Sequence, residues 1–174
     1  AYNNVVYHEG RARLIPGGVE AGGRRFAADR VIIATGTRPS FPSIPGLADV
    51  SPLDSTGALA LTELPRSMIV LGGGYIGAEL AQTFARVGVA VTLVFRSRLL
   101  PEAEPEIGEA LSGYLADEGI TVLGGLSYEA AHPTRGGVSL TVRRGGRQET
   151  VVAERIIVAT GRKANTEDLG LAEV

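Results

Sequence analysis

The hydrophobic positions of this chain recur with two different periods, and the switches between them mark its elements. In VVYHEGRARLI (5–15), GVEAGGRRF (18–26) and DRVIIATG (29–36), short apolar runs sit between glycine-rich turns, which predicts an opening meander of strands. TRPSFPSIPGL (37–47) carries prolines at 39, 42 and 45, which remove backbone donors and fix extended conformations, so it reads as a linker. Ser67–Leu71 is a short apolar strand. After GGGYIG the period becomes helical, with Ile76, Leu80, Phe84 and Val87 on one face and Gly88 as the stop. VAVTLVF (89–95) is a second buried strand. PEIGEALSGYLADEG (105–119) is a second helix, with Pro105 in its first turn, a stripe of Ile107, Ala110, Leu111, Tyr114 and Leu115, and Gly119 at its end. ITVL (120–123) is a third strand, and VSLTVRR and RQETVVA alternate at period two around Gly145 and Gly146 as an antiparallel hairpin.

Strand, helix, strand, helix, strand in this order predicts an α/β fold: a Rossmann-like parallel sheet with right-handed crossovers and helices on both faces, plus the antiparallel meander. One phrase occurs twice, as DRVIIATG at 29–36 and ERIIVATG at 154–161, bracketing the strand-helix region. The flanks of the two copies do not match over a repeat-sized length, so a tandem repeat is disfavoured. Two passes of the chain through equivalent points of one architecture remain as the explanation to test.

Composition narrows the function classes. At 174 residues, 44% hydrophobic and 21% charged, the chain reads as globular, with no apolar run near the ~20 residues of a membrane span. AYNNVVYHEG lacks the order of a secretory signal, so a cytoplasmic location is expected. The net charge of -2 gives no broad positive field for nucleic acid. Of 17 basic side chains only Lys163 is a lysine, and arginine is the better partner for bidentate phosphate contacts. Without cysteine there is no disulfide, thiolate metal site or thiol redox chemistry in this stretch. His8 and His132 lie far apart and have no second ligand at a metal-site spacing.

Chemistry concentrates after Leu71. Gly72, Gly74 and Gly77 form a GxGxxG between a strand and a helix, with a second strand inside ~30 residues, as the dinucleotide fingerprint requires. Gly72 permits the tight turn, Gly74 lets a pyrophosphate approach the backbone, and Gly77 brings helix and strand together over free N–H groups. About 20 residues on, where an acid would bind the ribose 2'-hydroxyl of NAD, stands Phe95, followed by Arg96 and Arg98. Two guanidinium groups suit a 2'-phosphate, which favours NADPH. Glu79, one turn into the helix, either reaches the nicotinamide or complements the helix dipole.

In order, RVIIATGTRP, the proline-rich link, IVLGGGYIGAELA, the strand with its arginine pair and IIVATGRKANT resemble the central portion of a pyridine nucleotide-disulfide oxidoreductase. The resemblance implies an NAD(P)H domain inserted into an FAD domain, with an ATG segment near each crossing: 1–37 as FAD-domain strands, 38–155 as the NAD(P)H domain, 156–174 as the return. It implies Gly72, Gly74, Tyr75, Ile76, Gly77, Glu79, Arg96, Arg98, Gly161 and Arg162 as cofactor-binding residues, Tyr75 as a lid and Glu79 within the nicotinamide pocket. TGALALTELP and FRSRLLPEAEPEIGEAL are most similar to the branch that passes electrons from NADPH through FAD and a cysteine pair to mercuric ion. Dihydrolipoamide- and glutathione-directed branches are the alternatives, as is a non-catalytic nucleotide-binding protein. The family's FAD glycine loop, cysteine pair and C-terminal dimerisation domain have no counterpart here, so a fragment of a homodimeric parent, inactive alone, is expected. Ala164 stands where the family has Pro, and the loop after Arg96 is one residue shorter than usual.

Overall fold

A computed structural model describes residues 4–174; the first three positions of the expected opening segment lie outside the described residues. In chain order the elements are β1 (Ala12–Ile15), β2 (Gly18–Ala21), β3 (Arg24–Ala27), β4 (Thr37–Pro39), α1 (Ser55–Leu59), β5 (Ser67–Leu71), α2 (Tyr75–Arg86), β6 (Ala90–Val94), α3 (Pro105–Asp117), β7 (Thr121–Leu123), β8 (Ser127–Thr134), β9 (Gly137–Arg144), β10 (Arg147–Ala153), β11 (Arg155–Val158) and β12 (Arg162–Ala164). The chain forms two compact units: Pro39–Arg162 is one, and the residues up to Arg38 together with Lys163–Val174 are the other.

The larger unit is built on a four-stranded parallel sheet of order β11-β5-β6-β7. Its central strand SMIVL is buried on both faces, with Met68, Ile69, Val70 and Leu71 all at 0% exposure. Alternation sends Met68 and Val70 to one layer and Ile69 and Leu71 to the other, so each strand residue joins a different core. Burying each such side chain contributes about 1.5–3 kcal/mol relative to leaving it in water.

The first core is closed by helices. Leu80, Ala81 and Phe84 of α2 and Leu115 of α3 pack with Met68, Val91, Leu93 and Ile157. The second core is closed by the antiparallel sheet β10-β9-β8, whose Ala131, Val138, Leu140, Val142 and Ala153 face Ile69, Leu71, Val94, Ile156 and Val158. Helices were expected on both faces; α2 and α3 share one, because the antiparallel sheet β10-β9-β8 covers the other.

Other differences have local causes. Val87 caps α2 and is 53% exposed, so the buried face of that helix stops at Phe84. On α3, Leu115 is buried as expected, but Ile107 and Tyr114 are half or more exposed and Gly108 is turned inward. Gly108 sets this rotation: a Cβ there would come within 2.3 Å of the Leu99 carbonyl oxygen, so the helix sits with its backbone against that loop. The proline-rich stretch also does more than link, since Ile44 and Leu47 enter the second core and the Ala131 amide donates to the Pro45 oxygen at 2.8 Å. The return to the other unit was expected to begin at 156, yet Arg155–Val158 pairs in parallel with Met68–Leu71 as a sheet strand.

The smaller unit holds the three-stranded meander β1-β2-β3, with Ala12 opposite Ala21 and Val19 opposite Phe26. Its β2–β3 turn uses Gly22 and Gly23 at φ 57° and 76°, the left-handed pair that a tight hairpin needs. Of the expected strands, 5–15 forms only at Ala12–Ile15, and Asp29–Gly36 forms no ladder among the described residues. Val31, Ile32 and Ile33 are 42%, 93% and 42% exposed, so these side chains have found no core to pair over.

Candidate functional site

At the C-terminal ends of the parallel strands the larger unit opens into a cavity of about 470 Å³. One wall is the turn between β5 and α2. Gly72 adopts φ 128°, and a Cβ there would lie 2.3 Å from the Ala159 oxygen. Gly77 is packed still closer, its Cβ direction ending 2.0 Å from the Gly72 oxygen, which seats α2 directly on the strand end. Gly74 differs. Its φ of -79° is open to any residue, and no atom lies within 4 Å of where its Cβ would be. Protein packing does not demand a glycine there. Gly74 is also the N-cap of α2 and offers no side-chain cap, so the first-turn amides face the cavity end of the helix without a side-chain acceptor.

The second wall is the loop after β6. Phe95 continues the strand, its amide donating to the Leu123 oxygen at 2.9 Å, and is 5% exposed. Its ring fits only because residues 73 and 124 are glycines, where a Cβ would come within 2.8 Å and 2.3 Å of it. The loop is tied down by the Leu100 amide on the Gly73 oxygen at 2.7 Å and the Gly125 amide on the Ser97 oxygen at 3.1 Å. Leu100 takes a left-handed φ of 47° to make this bend. Within it, Arg98 donates through Nη2 to the Pro101 oxygen at 2.7 Å, while Nη1 is buried with no hydrogen-bond partner. Buried donors are normally satisfied, which makes this side-chain nitrogen an exception among the described residues.

Of the residues singled out from the sequence, Gly72, Gly74, Tyr75, Ile76, Arg96, Arg98, Gly161 and Arg162 line this one cavity. Gly77 lies buried beneath it, and Glu79 is exposed on α2 outside the lining. Sequence reasoning missed Ser55 and Tyr128, which also line it. Ser55 carried a local signal: Asp54 caps α1, its carboxylate accepting from the Gly57 amide at 2.7 Å, as Asp before Ser-Thr-Gly permits. Tyr128 carried none, because it reaches the cavity through sheet pairing. Burial pushes its phenol up to about 12, against a lowering by the nearby Arg96 charge. Among the described residues no group of three or more His, Cys, Asp or Glu side chains could hold a metal, and no helix is long and apolar enough to cross a membrane. The cavity thus offers free amides at a helix start and three lining arginines, Arg96, Arg98 and Arg162, a donor set for an anionic ligand.

Residues 3–174 match the family model described as pyridine nucleotide-disulphide oxidoreductase. A mercuric reductase of Staphylococcus aureus is 39% identical over 154 residues, covering 88% of this chain and 28% of that protein. A dihydrolipoyl dehydrogenase of Trypanosoma brucei brucei is 35% identical, covering 97% of this chain and 38% of its own length. Among solved structures, the copper(II) complex of the HOCl-induced flavoprotein disulfide reductase RclA from Escherichia coli superposes with a TM-score of 0.75 at 28% identity, over 95% of this chain and 38% of that one. The chain therefore spans between about a quarter and two fifths of the length of these relatives. Over that span, with the glycine turn, the parallel sheet and both ATG segments in place, the chain belongs to the pyridine nucleotide-disulphide oxidoreductase family.

Proposed function

We propose that this chain is the NADPH-binding portion of an FAD-dependent oxidoreductase that passes reducing equivalents to mercuric ion. The observation that carries the nucleotide assignment is the pairing, across one cavity, of open space over Gly74 with the unsatisfied Nη1 of Arg98. The amides at the start of α2 receive the pyrophosphate, and Arg96 and Arg98 receive the 2'-phosphate. Tyr75, 64% exposed at the cavity rim, is the lid, with Ile76, Gly161 and Arg162 beside it. Glu79, exposed in this structure, reaches the nicotinamide only if the side chain swings toward the rim.

The flavin is a separate matter. Among the described residues the parallel sheet carries one glycine turn of this kind, and the nicotinamide nucleotide takes it. Bound FAD would supply the redox chemistry, accepting hydride and handing electrons on to a thiol pair. This chain's part is to hold the donor and set its identity. The remaining length of the protein would bring the flavin loop, the cysteine pair and a dimerisation domain, the whole being a cytoplasmic homodimer in which this chain's crossings between domains lie near 38 and 162.

Mercuric ion is favoured as acceptor by the identity to mercuric reductases, at 39% against 35% for the dihydrolipoyl dehydrogenase, and by Phe95 standing where an NAD-directed acid would be. A disulfide acceptor is the second reading, supported by the flavoprotein disulfide reductase fold match. The test is NADPH oxidation by the full-length protein, monitored at 340 nm, with mercuric ion in the presence of excess thiol, then with oxidised glutathione and with lipoamide. Turnover on mercuric ion alone is expected; turnover only on a disulfide would overturn the assignment.

A further inference from the structure

The loop that carries Arg96 and Arg98 rests against one residue of α3 that does not line the cavity. Gly108 is buried, and a Cβ there would stand 2.3 Å from the oxygen and 3.3 Å from the carbonyl carbon of Leu99. Leu99 is itself 1% exposed and belongs to the first core, so its carbonyl has little room to turn away. Glycine is unfavourable inside a helix, and α3 contains two. The other, Gly113, is exposed and has no atom within 4 Å of its Cβ direction. Packing therefore requires the glycine at 108 and not the one at 113.

Added volume at 108 has to displace either the helix or the loop. The helix is held at its far end. Leu115 is packed in the first core, and Glu118, just past α3, accepts from Gln82 Nε2 at 2.7 Å and from Arg86 Nε and Nη2 at 2.8 and 2.7 Å on α2. The loop already bends through Leu100 at φ 47°, backbone that a leucine adopts only under constraint, so it yields first. Ordinary contact begins at 3.4 Å, and restoring it moves the Leu99 oxygen by about 1 Å, more than a hydrogen bond tolerates. That oxygen lies next to Arg98, whose Nη2 depends on the Pro101 oxygen of the same loop. The glycine turn has separate fastenings, the Gly72 amide on the Val94 oxygen at 2.8 Å and Gly77 against the Gly72 oxygen.

We propose that Gly108 is a positioning residue for nucleotide discrimination: without touching the nucleotide, it sets the place of the arginine loop and so decides whether Arg98 reaches a 2'-phosphate. The role rests on the nucleotide-site reading above, because it acts only through the arginines. It separates two glycines of one helix. A methyl group at 108 alters the choice between NADPH and NADH, and a methyl group at 113 does not.

The experiment is calorimetric titration of this chain with NADPH and NADH, for the native protein, Gly108→Ala, Gly113→Ala and Leu99→Val, with a thermal unfolding curve for each. Gly108→Ala is expected to bind NADPH ~10-fold more weakly, the equivalent of one charge-assisted hydrogen bond, and NADH as the native chain does. Gly113→Ala keeps the native ratio and raises the thermal midpoint. Leu99→Val loosens the same contact from the loop side and is expected to lower the NADPH-to-NADH preference; it decides the matter if Gly108→Ala does not fold, an unchanged ratio then overturning the role. A folded Gly108→Ala with the native ratio, an equal loss of both nucleotides, or the same fall in Gly113→Ala overturns the positioning role and leaves the nucleotide site standing. A native chain without preference for NADPH overturns the role and the reading of the arginines together.

Discussion

The two copies of one phrase fold differently. In ERIIVATG the residues Ile156, Ile157 and Val158 are 1%, 0% and 2% exposed and run parallel to β5 in the centre of the larger unit. In DRVIIATG the equivalent Val31, Ile32 and Ile33 stand largely in solvent and join no sheet. Local propensity is the same in both, since β-branched residues favour strands wherever a pleated, half-buried surface awaits them. What differs is the partner: β5 and the two cores flanking it receive the second copy, whereas among the described residues no strand or core receives Val31, Ile32 and Ile33 of the first. Each copy ends one or two residues before the chain passes from one unit to the other, at Arg38–Pro39 and Arg162–Lys163.

This contrast can be broken by mutation. Ile157→Ala is expected to destabilise the larger unit by about 2–5 kcal/mol, the range for truncating a buried isoleucine, whereas Ile32→Ala should stay within about 0.5 kcal/mol. Denaturant unfolding of each variant measures both, and comparable losses would mean that the first copy is also packed in solution.

The glycine that ends each copy sharpens the comparison further. Gly161 at φ 147° and Gly36 at φ 71° both occupy backbone that an alanine resists, and neither has an atom within 3.4 Å of its Cβ direction. Alanine at either is expected to cost roughly 1–2 kcal/mol of stability by strain alone. Only Gly161 lines the cavity, so only Gly161→Ala should also weaken NADPH, read by the same titration in both variants.

The smallest effect concerns the acid that opens the second copy. Glu154 accepts from the Arg66 amide at 2.7 Å and from its guanidinium, and these bonds hold its carboxyl below the usual carboxylate value of 4.5. A carboxylate with a lowered folded pKa stabilises above the unfolded value and loses that contribution as the pH falls through the folded one. Acidification from pH 5 downward should therefore remove a salt-sensitive increment of stability that Glu154→Gln lacks from the start. Thermal midpoints of native and variant chains against pH should converge at the acid end; parallel curves would show the pair to be inert.

How much could be read beforehand follows the same logic. Strand β5, helix α2, the hairpin β9–β10 and the three glycines of the turn were legible because their reasons are local: a continuous apolar run, a 3.6 period ending at Gly88, alternation around Gly145–Gly146, and backbone needing absent side chains. The missing strand at 29–36 was illegible because its pattern is genuine and only its partner is lacking. Strand β8 was missed because Pro133, His132 and the bulge at Glu129 interrupt any alternation, and with it went Tyr128. The face of α3 was misjudged because Gly108, the residue that fixes its rotation, carries no hydrophobicity to be counted. Glu79 is given a pocket role by resemblance; in the structure it is exposed on α2, outside the cavity lining and past the helix's first turn, where the dipole acts weakly.

The central claim is that the amides opening α2 hold a diphosphate while Arg96 and Arg98 recognise a 2'-phosphate. Calorimetric titration of this chain with NADPH and NADH, repeated on Arg96→Ala/Arg98→Ala, tests it most directly. The account predicts tighter binding of NADPH, with the preference lost in the double variant at about 1.5–3 kcal/mol per charged hydrogen bond removed. Equal affinities in the native chain, or a preference that survives loss of both arginines, would contradict it.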